Sequence, residues 1–160
     1  MTKVIQNTTQ VLLGFIAISL GMFIYIAFRP SWQTVWIPEV ISLDLKKFWL
    51  CTKLGNNLPS FLHVFGFSLL TAGIIVRKKW TYMIICGSWL FLNLLFEFLQ
   101  TDAAHTRLRY MSSNHDSLNP VLHWLKNYLL HGVFDPKDIF ALMIGAILAY
   151  VVLMKTNKGG

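Results

Sequence analysis

The stretch WTYMIICGSWLFLNLLFEFLQ, residues 80–100, is an apolar run that ends in a carboxylate and an amide. Residues 80–99 have the length that an α-helix needs to cross the hydrocarbon core of a membrane, about 20 residues. Because a charge in hydrocarbon costs a few kcal/mol or more, an acidic residue inside a span is a candidate functional residue. The stretch therefore predicts a membrane-spanning helix with Glu97 as a candidate site residue near one end.

The whole chain is too apolar for a soluble domain of its length. Of its 160 residues, 55% are hydrophobic and only 13% are charged, whereas soluble domains have about 25% charged residues. Three further apolar segments approach the length of a span: residues 10–28, 60–76 and 138–154. We therefore predict an all-α integral membrane protein, a single domain over residues 1–160 that forms a bundle of four transmembrane helices.

The basic residues predict the orientation of these spans. The cluster Arg77-Lys78-Lys79 lies in the short turn between the second and third spans, where the positive-inside rule is strongest. With four spans, the turn and both termini are then cytoplasmic, and residues 30–59 and 100–137 are external. The net charge of +7 is interpreted as topology and contact with lipid headgroups, and no nucleic-acid partner is expected.

Several polar side chains are predicted at one level near the external surface. His63 lies about one turn inside the second span if that span starts near Pro59. Asn93, Glu97 and Gln100 follow i, i+4, i+7 spacing, which places them on one face of the third span. Asp138 opens the fourth span. We predict that these side chains form a polar network facing the inside of the bundle.

Small residues are predicted to pack the spans closely below this network. Gly66 and Gly73 share the face of His63 in the second span, and Ala141, Gly145 and Ala149 follow i, i+4, i+8 spacing in the fourth. Seams of small residues are typical of packed membrane helices.

The external segments are predicted to cover the polar network. In NPVLHWLKNYLLHG, Asn119 is a candidate N-cap, followed by Pro120 and ended by Gly132, which predicts an interfacial amphipathic helix over residues 120–131. Residues 101–118 are polar and predicted to form an exposed irregular loop. The segment 31–58 contains three tryptophans and suits the membrane interface.

Three short motifs in this order resemble the VanZ-like family of small bacterial membrane proteins. They are a histidine early in one span (PSFLHVFGFSLL), a span ending in Glu-x-x-Gln (FEFLQ) and the stretch FDPKDIFALMIGA. The resemblance covers roughly residues 60–150. It implies a cell-envelope protein of the bacterial inner membrane and implicates His63, Glu97, Gln100, Asp135, Asp138 and Gly145.

The chain departs from the family pattern at two positions. Family members usually carry an arginine shortly before Phe-Asp, where this chain has His131-Gly132, and an asparagine one turn after the second aspartate, where it has Leu142. These differences weaken the functional reading of the network.

Each candidate residue also has a structural interpretation. Asp135 suits an N-cap with Asp138 in the first turn of the last span, and Glu97 can serve helix packing through hydrogen bonds. No spacing indicates a metal site, no cofactor is expected, and no catalytic motif is present, so catalytic residues remain unknown.

Two functions remain open from the sequence. The first is a VanZ-like accessory protein of the cell envelope that binds a lipid-linked or headgroup-bearing ligand at the external polar network. The second is a structural or accessory subunit of a larger membrane complex, which the tryptophan-rich segment 31–58 favours.

Overall fold

The structure is a computed structural model that describes residues 7–28, 49–75, 79–112, 129–130 and 133–157. Within these ranges the fold is all-helical and contains no strand. We number its five long helices α1 to α5 in chain order: α1 Thr8–Phe28, α2 Trp49–Ile75, α3 Lys79–Leu99, α4 Asp102–Ser112 and α5 Pro136–Thr156.

Four of these helices are long and apolar enough to cross a membrane. Their apolar spans are Thr8–Ala27, Asn57–Ile75, Lys79–Leu99 and Pro136–Thr156, in α1, α2, α3 and α5. The prediction of an all-α protein with four candidate membrane helices is therefore confirmed. The predicted interfacial helix over residues 120–131 lies outside the described residues except at Leu129 and Leu130, which are helical.

The second span begins close to the predicted position, at Asn57, but its helix is longer, because α2 begins at Trp49 and continues through Pro59. A proline removes one backbone hydrogen bond, a loss that membrane helices tolerate where neighbouring elements pack against the site. Pro59 is buried, and its carbonyl oxygen lies 4.0 Å from the Cβ position of Gly21 in α1. α2 is therefore packed against α1 at the point where it contains the proline.

The prediction of an irregular loop over residues 101–118 is wrong for most of its length, because α4 occupies Asp102–Ser112. The segment is polar, but it contains neither glycine nor proline between Thr101 and Ser112. Asp102 in the first turn interacts favourably with the positive end of the helix dipole. Polarity alone therefore does not predict an irregular loop, since this polar segment forms a helix outside the apolar spans.

Hydrogen bonds between the helix ends show the relative directions of the helices. The N–H of Asn7 donates to the carbonyl of Gly73 at 3.0 Å, and its side chain donates to the carbonyl of Thr156 at 2.8 Å. The start of α1 therefore meets the ends of α2 and α5, at what we call the terminal end of the bundle. α1 and α3 run antiparallel to α2, and α5 runs parallel to it.

α2 is the central helix of the bundle. It packs against α1 on one side, where Ala17, Ile24 and Leu62 form a buried cluster. On another side it packs against α3 and α5 through a larger core: Leu69, Ala72, Tyr82, Cys86, Ala149 and Leu153. α3 is peripheral, since 11% of its apolar span is buried against 44% for α2.

Candidate functional site

Two carboxylates and one amide meet at the end of the bundle opposite the terminal end. The Nδ2 atom of Asn57 donates to Oδ1 of Asp138 at 2.9 Å and lies 3.5 Å from Oδ2 of Asp135. Asp138 is 5% exposed, whereas Asp135 and Asn57 are half-buried. We call these three residues the carboxylate cluster.

The start of α5 positions both carboxylates. Asp135 is the N-cap: its Oδ1 accepts from the N–H of Lys137 at 2.9 Å, and Pro136 occupies the first turn. The N–H of Asp138 donates to the carbonyl of Asp135, also at 2.9 Å. The N-cap role predicted for Asp135 is confirmed. Capping uses one oxygen of Asp135, and the other oxygen faces Asn57.

Asn57 was missed by sequence reasoning because it was assigned to the external segment before Pro59. The spacing of the residues by which α2 packs on α5 could have identified Asn57. The carbonyl of Phe61 lies against Gly145, and Val64 packs in a cluster with Leu142. Asn57, Phe61 and Val64 follow i, i+4, i+7 spacing, so this face continues back to the asparagine.

His63 belongs to a different face of α2. Its ring stacks on Phe67 with centroids 5.7 Å apart, and Phe67 stacks on Trp89 of α3 at 4.7 Å. The indole Nε1 of Trp89 donates to Oγ1 of Thr71 at 3.0 Å. Because six residues separate His63 from Asn57, their directions around the helix differ by about 120°. His63 is therefore part of an aromatic column between α2 and α3.

The three residues of the predicted polar face of α3 differ in their burial and hydrogen bonds. The Nδ2 atom of Asn93 donates to the carbonyl of Trp89 at 2.8 Å, so this amide bonds within its own helix. Glu97 is half-buried one turn later. Gln100 follows the end of α3, and its backbone N–H donates to the carbonyl of Glu97 at 3.1 Å.

The end of α3 and the start of α5 are brought together by two aromatic rings. Phe98 stacks on Phe134 with centroids 6.4 Å apart. Each ring is a chain neighbour of a candidate site residue, since Phe98 follows Glu97 and Phe134 precedes Asp135. The structure thus places Glu97 and the carboxylate cluster at the same end of the bundle.

Two of the predicted packing residues face α1. A Cβ atom on Gly66 would lie 2.7 Å from Cγ1 of Ile18 and 3.0 Å from the carbonyl oxygen of Gly14. A Cβ atom on Gly73 would lie 2.9 Å from the backbone nitrogen of Val11. The backbones of α1 and α2 are therefore in close contact at these glycines.

The other predicted packing residues lie on α5. A Cβ atom on Gly145 would lie 2.7 Å from the carbonyl oxygen of Phe61. Ala149 is completely buried, and Ala141 is half-buried. The glycine lets α5 come close to α2 about two turns below the carboxylate cluster.

A second polar group, which sequence reasoning missed, joins the start of α1 to the end of α5 at the terminal end. Asn7 and Gln10 of the α1 start reach Thr156 at the end of α5: Asn7 donates to its carbonyl, and Gln10 donates to its Oγ1 at 2.9 Å. Gln10 is completely buried. We call these three residues the terminal clamp. Its donors satisfy carbonyls that a helix end leaves without intrahelical partners.

The chemistry available at the carboxylate cluster is that of hydrogen-bond acceptors. Asp138 is buried and bonded, so Asp135 presents the more accessible carboxylate. Such a group accepts hydrogen bonds from hydroxyl or ammonium groups. Among the residues that the structure describes, no group of three or more His, Cys, Asp or Glu side chains is arranged to hold a metal ion.

Comparison with known proteins gives no relative from which a function could be transferred. No protein-family model, no curated protein and no solved structure matches the chain. The resemblance to VanZ-like proteins therefore stays a prediction from short motifs.

Proposed function

We propose that this chain is a VanZ-like accessory protein of the bacterial cell envelope that binds a lipid-linked or headgroup-bearing ligand. The binding region is the end of the bundle that holds the carboxylate cluster and Glu97. The observation that supports it most is the bond from Asn57 to Asp138, which keeps a 5% exposed carboxylate next to the more accessible Asp135. A polar group held at the end of apolar spans suits a ligand with a polar head and an apolar tail.

The proposed orientation places this binding region outside the cell. α2 ends and α3 begins at the terminal end, and the basic cluster Arg77-Lys78-Lys79 lies at this point of the sequence. The positive-inside rule then assigns the terminal end to the cytoplasm of a bacterial inner membrane. The carboxylate cluster would face the opposite side, where envelope lipids carry their external headgroups.

Native mass spectrometry of protein extracted gently from its own membranes tests the proposal. We expect the wild type to retain a defined lipid or polyprenyl species and the double variant Asp135→Asn, Glu97→Gln to lose most of it. Asp102→Asn is a matched control, because this carboxylate is exposed on α4 outside the cluster. Equal lipid occupancy in all three proteins would refute a ligand site at this end.

A second candidate function is an accessory subunit of a larger membrane complex. The peripheral position of α3 favours it, since only 11% of this span is buried within the described bundle. Among the residues that the structure describes, none outside the backbone and chain neighbours of Gly87 itself has a heavy atom within 4 Å of the Cβ position of Gly87, in the middle of α3. A partner helix could approach closely there, as small residues permit in membranes.

The same mass spectrometry separates the two functions. A stoichiometric assembly with other chains, disrupted by Gly87→Leu and retained by Ser19→Leu, which changes an exposed small residue of α1, would support the subunit function. A lone chain that carries lipid would support the binding function.

A further inference from the structure

α1 and α5 pack on opposite sides of α2. Gly66 of α2 faces α1, since its Cβ position lies 3.0 Å from the carbonyl oxygen of Gly14. Asn57 of α2 faces α5, where it donates to Asp138 at 2.9 Å. Asn57 and Gly66 are nine positions apart, so their directions around the helix differ by about 180° at about 100° per residue. α1 and α5 meet at the terminal clamp, and their contact with each other is small beside the contact that each makes with α2.

Three apolar side chains of α2 lie between these two helices: Leu58, Phe61 and Phe65. The direction of Phe65 is about 80° from that of Asn57 and about 100° from that of Gly66. All three side chains pack against the buried cluster that joins α2 to α1, and Phe65 also packs against the core that includes α5. The rings of Phe61 and Phe65 are stacked, with centroids 5.7 Å apart and planes within 11°. Because all three side chains are only half-buried, they form the floor of an apolar cleft between α1 and α5.

The cleft is closed toward the terminal end and leads to the carboxylate cluster in the other direction. Leu69 and Ala72 continue the same side of α2 toward the terminal clamp, and both are 0% exposed. At the opposite end, Asn57 of the carboxylate cluster precedes Phe61 by about one turn. From Asn57 to Phe65 the helix rises by about 12 Å. The cleft therefore joins an apolar floor of this length to a polar end.

We propose that this cleft holds the apolar chain of a lipid whose polar head binds at the carboxylate cluster. The inference rests on the proposed function and adds the position and class of the tail, which is a linear hydrocarbon chain lying along Phe61 and Phe65. The cleft lies on the span Asn57–Ile75, where the surrounding medium supplies such chains. Its stacked rings give a linear chain a continuous surface for dispersion contacts. A partner helix would instead favour a surface of small residues, which permit close backbone approach.

Photocrosslinking of the full chain in its own membranes tests the cleft. The photoreactive residue p-benzoylphenylalanine replaces Phe65 in one protein and Phe61 in a second, and captured lipids are identified by mass spectrometry. The same replacement at Phe91 is the matched control, because this ring is 66% exposed on the peripheral helix α3. We expect one defined acyl or polyprenyl lipid to dominate at Phe65 and Phe61, whereas Phe91 captures membrane lipids in proportion to their abundance. The bulk lipid mixture at both cleft positions would overturn the inference.

The double variant Asp135→Asn, Glu97→Gln separates this inference from the proposed function. We expect the defined lipid at Phe65 to be lost in this background, because its head would no longer be held. Retention of the defined lipid would support the cleft but contradict the carboxylate cluster as the site of the head. Bulk lipid at both cleft positions of a protein that retains a defined lipid in native mass spectrometry would overturn the cleft and leave the proposed function standing.

Discussion

The Nδ2 atom of Asn57 lies 2.9 Å from Oδ1 of Asp138, although 81 positions separate the two residues in the chain. This bond connects α2 to the first turn of α5 at one end of the bundle. It also gives a 5% exposed carboxylate its donor. The end that carries the proposed binding region is therefore held by a polar contact between two parallel helices.

Replacing Asn57 with leucine should destabilise the protein. The variant keeps the size of the side chain but leaves the Asp138 carboxylate without this donor, which costs about 1–3 kcal/mol for a buried polar group and more for a charged one. Thermal unfolding in detergent measures the change. Asn93→Leu is the matched control, since that amide bonds only within α3 among the contacts described. Equal losses in both variants would contradict a special role for the bond.

Gly145→Ala should separate α5 from α2. The new Cβ atom would lie 2.7 Å from the carbonyl oxygen of Phe61, a backbone atom that cannot move aside by rotating. Overpacking of this kind costs about 1–3 kcal/mol, which a lower Tm in detergent would report.

Gly87→Ala is the control for that substitution, because no neighbouring helix in the described part of the chain lies within 4 Å of its Cβ position. We expect its Tm to be unchanged or higher, since alanine favours a helix over glycine by up to about 1 kcal/mol. A Gly145→Ala protein as stable as Gly87→Ala would show that the approach of α2 and α5 is looser than described.

Thr156→Val should weaken the terminal clamp. Valine removes the hydroxyl that accepts from Gln10 and leaves the buried amide with the 3.5 Å contact to the carbonyl of Leu153. The expected loss in free energy of unfolding is about 1–2 kcal/mol. Thr106→Val in α4 is the matched control, because its hydroxyl makes the same kind of bond to its own helix but is exposed. That variant should stay within about 0.5 kcal/mol of the wild type.

Labelling of single cysteines should show on which side of the membrane each helix end lies. In a background that lacks Cys51 and Cys86, cysteines at Thr9, Lys79 and Lys155 should react with an impermeant maleimide from one side only. Asp102→Cys and Lys137→Cys should react from the other side. The structure requires the first three sites to share a side, and the positive-inside rule assigns that side to the cytoplasm. Labelling of Thr9→Cys and Lys155→Cys from opposite sides would contradict the bundle.

The fold class can be predicted from the sequence because it depends on the length and hydropathy of each segment. A continuous apolar run of sufficient length predicts a span wherever it occurs, so four spans were found with ends close to those observed. The N-cap at Asp135 was also predictable, since a cap depends only on neighbouring residues.

Rules that use only neighbouring residues did not predict the full extent of α2 or the presence of α4. The span near Pro59 was predictable, but its helix is longer: α2 begins at Trp49 and continues through this proline, which is buried beside α1. The segment of α4 was read as a loop because polarity alone does not distinguish a short polar helix from an irregular chain.

The sequence by itself determined an all-helical fold with four helices long and apolar enough to cross a membrane, since length and hydropathy act on each segment separately. Only the tertiary structure decided which polar side chains meet. Asn57 bonds with Asp138, while His63 stacks in an aromatic column on another face, and Gln10 reaches Thr156 from 146 positions away. These pairings depend on the rotation and depth of each helix against its neighbours, which are set by close backbone packing at glycines such as Gly66 and Gly145.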